Sequence, residues 1–500
     1  MIVNKTMFGP QAGIATINRM NERMSELQVQ LGTGERTQTL AGLGSQRMFD
    51  LALRTRLANL EGYAHNQTTA TLRLDLMDTV VSRLDKIEAD ARTSASPGGY
   101  GTDSINLINL PALSKTRLDE VISLLNTNVA GRYLFAGNTT DQKPVASLNA
   151  VLDGEGGKAG FRTVAGERLL ADRGADDLGR LAISTAGSTV TVAEDGAHPF
   201  GYKLSTLSSD SAGIVLNGPT GPAPQSMSVA VNAQPIAGQR VTVGLTLPDG
   251  TSTSVTLTAV AGTPANAGEF QIGATTDDTA ANLASALGDR LVQVTGSQLR
   301  TASAFAAADN FFNLQGETVM RVDGPPFESA TGLVAADPAT TVMWYRGSDE
   351  ADARGTVKVK VDDGVIANYG AQANEFGFVQ LMRSLAVTAT ETYPPDDTTS
   401  RTRFDAAALR QQDRLAESQS NLVGSIEAVT LELGLARMSI GAAAERHTAY
   451  KVQVDNALAG IEQVSPEEVA MEMLALKTRL EASYMTMQMV SQLSLVNYLR

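Results

Sequence analysis

Residues 422–461 read LVGSIEAVTLELGLARMSIGAAAERHTAYKVQVDNALAGI. Within them Leu422, Ile426, Val429, Leu433, Ala436, Ile440, Ala443, His447, Tyr450, Val454, Ala457 and Ile461 follow one another at steps of four and three residues. An α-helix turns once per 3.6 residues, so this spacing lays them along one stripe. Glu427, Glu432, Arg437, Glu445, Arg446, Lys451 and Gln453 lie off it. The pattern predicts a single helix from about Phe404 to Ile461, roughly 85 Å long at 1.5 Å per residue. No compact domain holds a helix of that length, whereas a fibre does. Ile426, Val429, Leu433, Ile440, His447, Tyr450 and Val454 are the candidate seam of a helical rod, with His447 a packed or hydrogen-bonded seam residue.

Beyond this stretch, Ser465-Pro466-Glu467-Glu468 reads as an N-cap, a proline at the first helical position and a glutamate at the third, a capping box. The helix it opens carries Val469, Met473, Leu476, Leu480, Met487, Val490 and Leu493, with Tyr484 and Leu495 widening the apolar surface nearly all round. Such a helix at a chain end needs cover, and adaptable methionines at 471, 473, 485, 487 and 489 suit imperfect subunit contacts. The other end mirrors it. Ile17, Met20, Met24, Leu27 and Leu31 are spaced 3,4,3,4, and Gly32-Thr33-Gly34 stops the pattern. These N- and C-terminal positions form the candidate assembly interface. Leu40–Gly44 reads as a linker. A second helix is expected over 45–92, its seam weak at Gln67 and Thr71, and a third carries Leu110 to Val129.

The middle changes character. Glycine, proline, threonine and serine become frequent, and Val241, Val243, Leu245 and Leu247 alternate, as do Val255, Leu257 and Ala259, around Pro248-Asp249-Gly250. That is a β-hairpin. Thr356–Val361 reads as a strand closed by Asp362-Asp363-Gly364, and short helices are expected at 280–291 and 378–390. The fold class is therefore mainly α, with coiled-coil helices at both termini and a mixed, β-rich α/β insert. Five segments follow: 1–44 and 463–500, terminal helices; 45–140 and 396–462, the two parts of a helical rod; and 141–395, the insert of one or two lobes.

The net charge of −14 over 500 residues disfavours a nucleic-acid partner. With no cysteine there is no disulfide, thiolate nucleophile or Cys-ligated zinc. The first residues do not read as a secretory signal, since Gly9, Pro10 and Gly13 interrupt any apolar core. Polar residues break the uncharged stretch 482–499, so no membrane span is expected. Of the three histidines, His65 and His198 have no spaced partners and read as surface residues. Gly154–Lys158 lacks the Ser or Thr of a phosphate loop and reads as an ordinary loop, and Gly424-Ser425 is placed inside the long helix. Acidic pairs at 277–278, 362–363 and 396–397 read as turn and cap residues. No catalytic, cofactor-binding or metal-ligating constellation emerges, so the chain reads as a structural protein without cofactors.

At the C-terminus LALKTRLEASY (474–484) and SQLSLVNYL (491–499), and near the N-terminus LGTGER (31–36), resemble the bacterial flagellin family. Helical ends bracketing a variable β-rich insert are that family's plan. Gly131-Arg132-Tyr133-Leu134-Phe135-Ala136-Gly137, followed by Asp141 and Pro144, is similar to the hook-associated members that join hook to filament, and Tyr369–Glu375 (YGAQANE) resembles some of these as well. Gly131, Tyr133, Leu134, Phe135 and Gly137 are the residues of this motif. The resemblance implies a subunit exported without a cleaved signal peptide, held by an export chaperone, and self-assembling in the extracellular flagellum beside a hook-side junction protein and flagellin. The alternatives are a filament-forming flagellin, a coiled-coil adhesin or fibre protein, and an enzyme carried in the insert.

Overall fold

The computed structural model describes residues 8–498, with side chains described over 11–492. In chain order the elements are α1 (Phe8–Thr33), α2 (Arg47–Ser94), α3 (Ile105–Leu125), β1 (Asn128–Val129), β2 (Arg132–Tyr133), α4 (Leu148–Asp153) and α5 (Phe161–Arg173). Seven strands follow, β3 (Leu181–Ala186), β4 (Thr189–Glu194), β5 (Lys203–Ser209), β6 (Ile214–Thr220), β7 (Ser226–Val231), β8 (Arg240–Thr246) and β9 (Ser252–Val260). Then come β10 (Glu269–Gln271), α6 (Thr276–Val294), α7 (Arg300–Phe311), β11 (Met320–Val322), β12 (Leu333–Ala335), β13 (Lys358–Asp362) and β14 (Val365–Asn368). The chain closes with α8 (Phe376–Thr390), α9 (Ser400–Arg414), α10 (Ile426–Glu462) and α11 (Pro466–Tyr498). Long terminal helices thus flank a middle rich in β-sheet, the architecture expected from the sequence.

The chain divides into two compact units, one of Met1–Ala70, Val359–Ile366 and Met438–Arg500, the other of Thr71–Lys358 and Ala367–Arg437. In the first, α1 packs along α11. Gly34, at φ +74, ends α1 in a conformation that costs glycine little. Just beyond it the two chain ends are stitched together: Arg36 N donates to Glu462 O (2.6 Å), Val464 N donates to Gly34 O (3.0 Å), and Glu35 pairs with Gln463. α11 starts at the anticipated cap, Glu468 N donating to Ser465 Oγ (3.4 Å). The reciprocal half differs from expectation, because Glu467 rather than Glu468 takes the Ser465 hydroxyl (2.5 Å).

The second unit holds two four-stranded sheets, ordered β3-β4-β7-β6 and β10-β9-β8-β5. The anticipated hairpin is β8–β9, in register from Arg240↔Thr258 to Thr246↔Ser252. Val241, Val243, Val255 and Leu257 point into a core completed by Leu283, Leu287 and Leu291 of α6. α6 opens with a full capping box between Thr275 and Asp278, which accounts for the acidic pair at 277–278.

Two expectations fail. The single helix 404–461 is broken: α9 ends at Arg414, and α10 begins only at Ile426. Gly424, at φ +77, cannot continue a helix, and the buried Ser425 caps the next one through Ala428 N (3.1 Å). Gly424-Ser425 is a helix start, and Leu422 lies outside the helix. Likewise the third helix stops at Leu125, leaving Val129 in β1.

Candidate assembly surfaces

The terminal pair α1–α11 buries a narrow stripe. Ile17, Leu27, Val469 and Leu480 are buried, and Met20, Met24, Met473, Leu476 and Met487 half-buried. Polar ties hold the register: Arg23 to Glu472 (3.1 Å) and Asn21 Nδ2 donating to the Tyr484 hydroxyl (3.3 Å). A Cβ on Gly13 would stand 3.0 Å from Met487 Sδ, so that glycine lets the helices close in. Leu31, Tyr484 and Val490 are exposed, as are Ile14, Val29, Met471, Leu474, Met485 and Met489, the last four at 62–68%. The side chains of Leu493 and Leu495 lie outside the described residues. Two helices with apolar residues on several faces can cover only one face of each other. Burying nine such half-exposed side chains is worth on the order of 10 kcal/mol before the entropy of association.

Most of the α10 seam is packed, with Tyr450 the exception. Ile426, Val429, Leu433, Ile440 and Val454 are buried, while Tyr450 is 41% exposed with the Arg56 guanidinium 5.2 Å from its ring centre. His447 is buried and explains the weak spot at Gln67. Gln67 Nε2 reaches both Val361 O (2.9 Å) and His447 Nδ1 (3.3 Å), so Nδ1 accepts. His447 Nε2 stands 3.2 Å from Asp362 Oδ1, off the hydrogen-bond direction, and the Tyr63 ring covers the imidazole at 5.4 Å. The polar seam positions thus hold the β13–β14 hairpin. Two residues out of phase with the seam, Leu431, Leu435, Met438 and Val452 are 54–66% exposed. A step of two residues is a rotation of about 200°, so α10 is apolar on opposite sides.

The motif Gly131–Gly137 is a structural joint. Ala130 (φ +51) and Gly131 (φ +79) make the two-residue turn between β1 and β2, both left-handed as such hairpins require. Tyr133 is half-buried, and its amide donates to Thr140 O (2.8 Å). Leu134 and Phe135 are buried, Phe135 edge-on to Phe378 at 5.7 Å. Ala373 N donates to Phe135 O (2.9 Å) and Gly137 N to Ala371 O (3.0 Å). Gly137 has φ +62, and any Cβ there would stand 2.0 Å from Ser348 Oγ. The motif therefore zips directly onto 369–375, the other segment that drew the same resemblance.

The remaining charged groups read as follows. His65 is exposed, as expected, but His198 is buried, against expectation. Its Nδ1 accepts from Phe200 N (3.2 Å), and Nε2 lies 2.7 Å from Asp195 and 3.0 Å from Arg180. Burial lowers its pKa, with Asp195 opposing. Arg180, 18 residues away in sequence, carries no periodic signal that could have announced this. Among the described residues one carboxylate group has ligand-like closeness: oxygens of Asp85, Glu88 and Glu427 lie within 4.8 Å of one another. Burial, then Glu427 and Asp85, push Glu88 up to about 7, so a proton relieves the crowding at neutral pH. Gly154–Lys158 is the expected loop, with Gly154 at φ +93. No described helix is long and apolar enough to cross a membrane.

The described residues thus present a packed pair of terminal helices, a buried stripe along α10, and apolar side chains left exposed on α1, α10 and α11. Residues 10–140, from α1 through β2, match the family model of the bacterial flagellin N-terminal helical region. No curated protein matches the chain.

Proposed function

We propose that this chain is the subunit that joins hook to filament, assembling through 1–44 and 463–500 as inner helices, with 141–395 turned outward. The observation that carries assembly is the apolar surface left on both sides of the α1–α11 pair. The junction role rests on the Gly131–Gly137 and Tyr369–Glu375 segments, which resemble hook-associated members and pair with each other across the start of the insert. Its partners are further copies of itself, the hook-side junction protein, flagellin, and an export chaperone before assembly. Deleting the gene and viewing the cells by electron microscopy tests it. Bare hooks with flagellin released into the medium are expected. Intact or merely shortened filaments would make the chain a filament flagellin instead.

A further inference from the structure

Where α1 passes into α2 and α10 into α11, the polar groups are out of balance. The Asp50 carboxyl, in the first turn of α2, is wholly buried. Its Oδ2 takes Arg54 Nε at 3.2 Å, and Oδ1 has no N–H donor. Arg54 Nη2 turns to the Glu462 carboxyl at 2.6 Å, at the last residue of α10, which brings that carboxyl to the same guanidinium as Asp50. Two carboxyls therefore share one guanidinium. The nearby Arg36 does not relieve them, because its guanidinium goes to Gln46 Oε1 (3.1 Å) and Gly460 O (3.5 Å). Glu35 meets this region through its backbone at Gln463, and on the α11 side Glu467 is engaged by Ser465. A buried carboxylate oxygen without a donor is costly, more so beside a second carboxylate.

We propose that a proton on Glu462, beside the donor-less buried oxygen of Asp50, closes this junction, making it a pH-sensitive hinge between the α1–α11 pair and the adjoining ends of α2 and α10. The same residue, Glu462, supplies the carbonyl that receives the Arg36 amide, so the side-chain pair and the backbone stitch stand or fall together. Burial first, then the Asp50 carboxyl, raise the proton affinity of Glu462, with Arg54 opposing. A carboxyl whose folded pKa is raised stabilises the fold below its unfolded pKa, and that contribution is lost as pH rises through the folded value. The hinge is thus tightest below the ordinary glutamate pKa and loosens as pH rises through the raised one.

Hydrogen exchange by mass spectrometry on the full-length chain reads this directly, in peptides covering 34–38 and 460–466, corrected for intrinsic exchange rates. Between pH 4 and 8 wild-type protection is expected to fall at least tenfold. Asp50→Asn places an N–H donor at the buried position and is expected to keep protection high and flat across that range, and Glu462→Gln to do the same if Asp50→Asn fails to fold. Wild-type protection that is absent or independent of pH would overturn the proposal, as would a folded variant with the wild-type slope.

Discussion

Single residues decide where this chain bends and where it responds to pH. Gly137 admits no side chain because Ser348 occupies the space, and Gly131 supplies the left-handed turn that starts the insert. Glu88 is a pH-responsive carboxyl of α2, its pKa pushed up to about 7 by burial and by two acidic neighbours. Its folded pKa is raised, so protonation favours the fold, and stability falls as pH rises from about 4.5 through 7. Glu88→Gln removes the charge and is expected to raise stability at pH 8 by about 1–3 kcal/mol, with little effect at pH 5. Urea unfolding of both proteins at the two pH values checks it. An equal effect at both, or destabilisation at pH 8, would mean that Glu88 is solvated and unperturbed.

At the scale of elements, helices with a strong apolar period were legible in the sequence and their ends were not. Most of the seam from Ile426 to Ile461 is buried because its positions follow one 4,3 spacing, while Tyr450 lies open and Leu458, off the spacing, is buried instead. The break at 415–425 escaped notice because Leu422 happens to keep the phase, hiding the glycine and serine that stop and restart the helix. The β8–β9 hairpin was legible from alternation around a turn, a local signal. The placement of β13–β14 was not, because the contacts that hold it run from Gln67 to Val361 and His447, 294 and 380 residues away. The same holds for Asp50 and Glu462, while Arg180 and His198, 18 residues apart, share no helical or strand period. Ser425→Ala tests the revised start of α10. Losing the cap to Ala428, and the bond to Ser420 O at 2.7 Å, is expected to cost about 1–2 kcal/mol. The midpoint of chemical unfolding should drop accordingly, and an unchanged midpoint would put the helix start elsewhere.

For the whole molecule, the governing fact is a mismatch between apolar surface and available cover. The candidate interface was legible as a class of residue at both chain ends, since the 3,4 pattern marks Ile17, Leu27, Val469 and Leu480, all buried where α1 lies along α11. Which face remains free was not legible, because a helix apolar on most sides gives periodicity no preferred direction. Met471, Leu474, Met485 and Met489 supply the answer, each more than half exposed on α11. If assembly buries them, polar replacements should remove several kcal/mol of association while leaving the α1–α11 stripe untouched.

The most direct measurement is therefore the fate of a chain carrying Met471→Gln, Leu474→Gln, Met485→Gln and Met489→Gln, followed in parallel in the culture medium and in sheared flagella. The account predicts that the variant is secreted at wild-type levels, accumulates in the medium and is missing from flagella, which then lack filaments. Incorporation at wild-type levels with normal motility would contradict it, because the exposed face of α11 would then have no part in assembly.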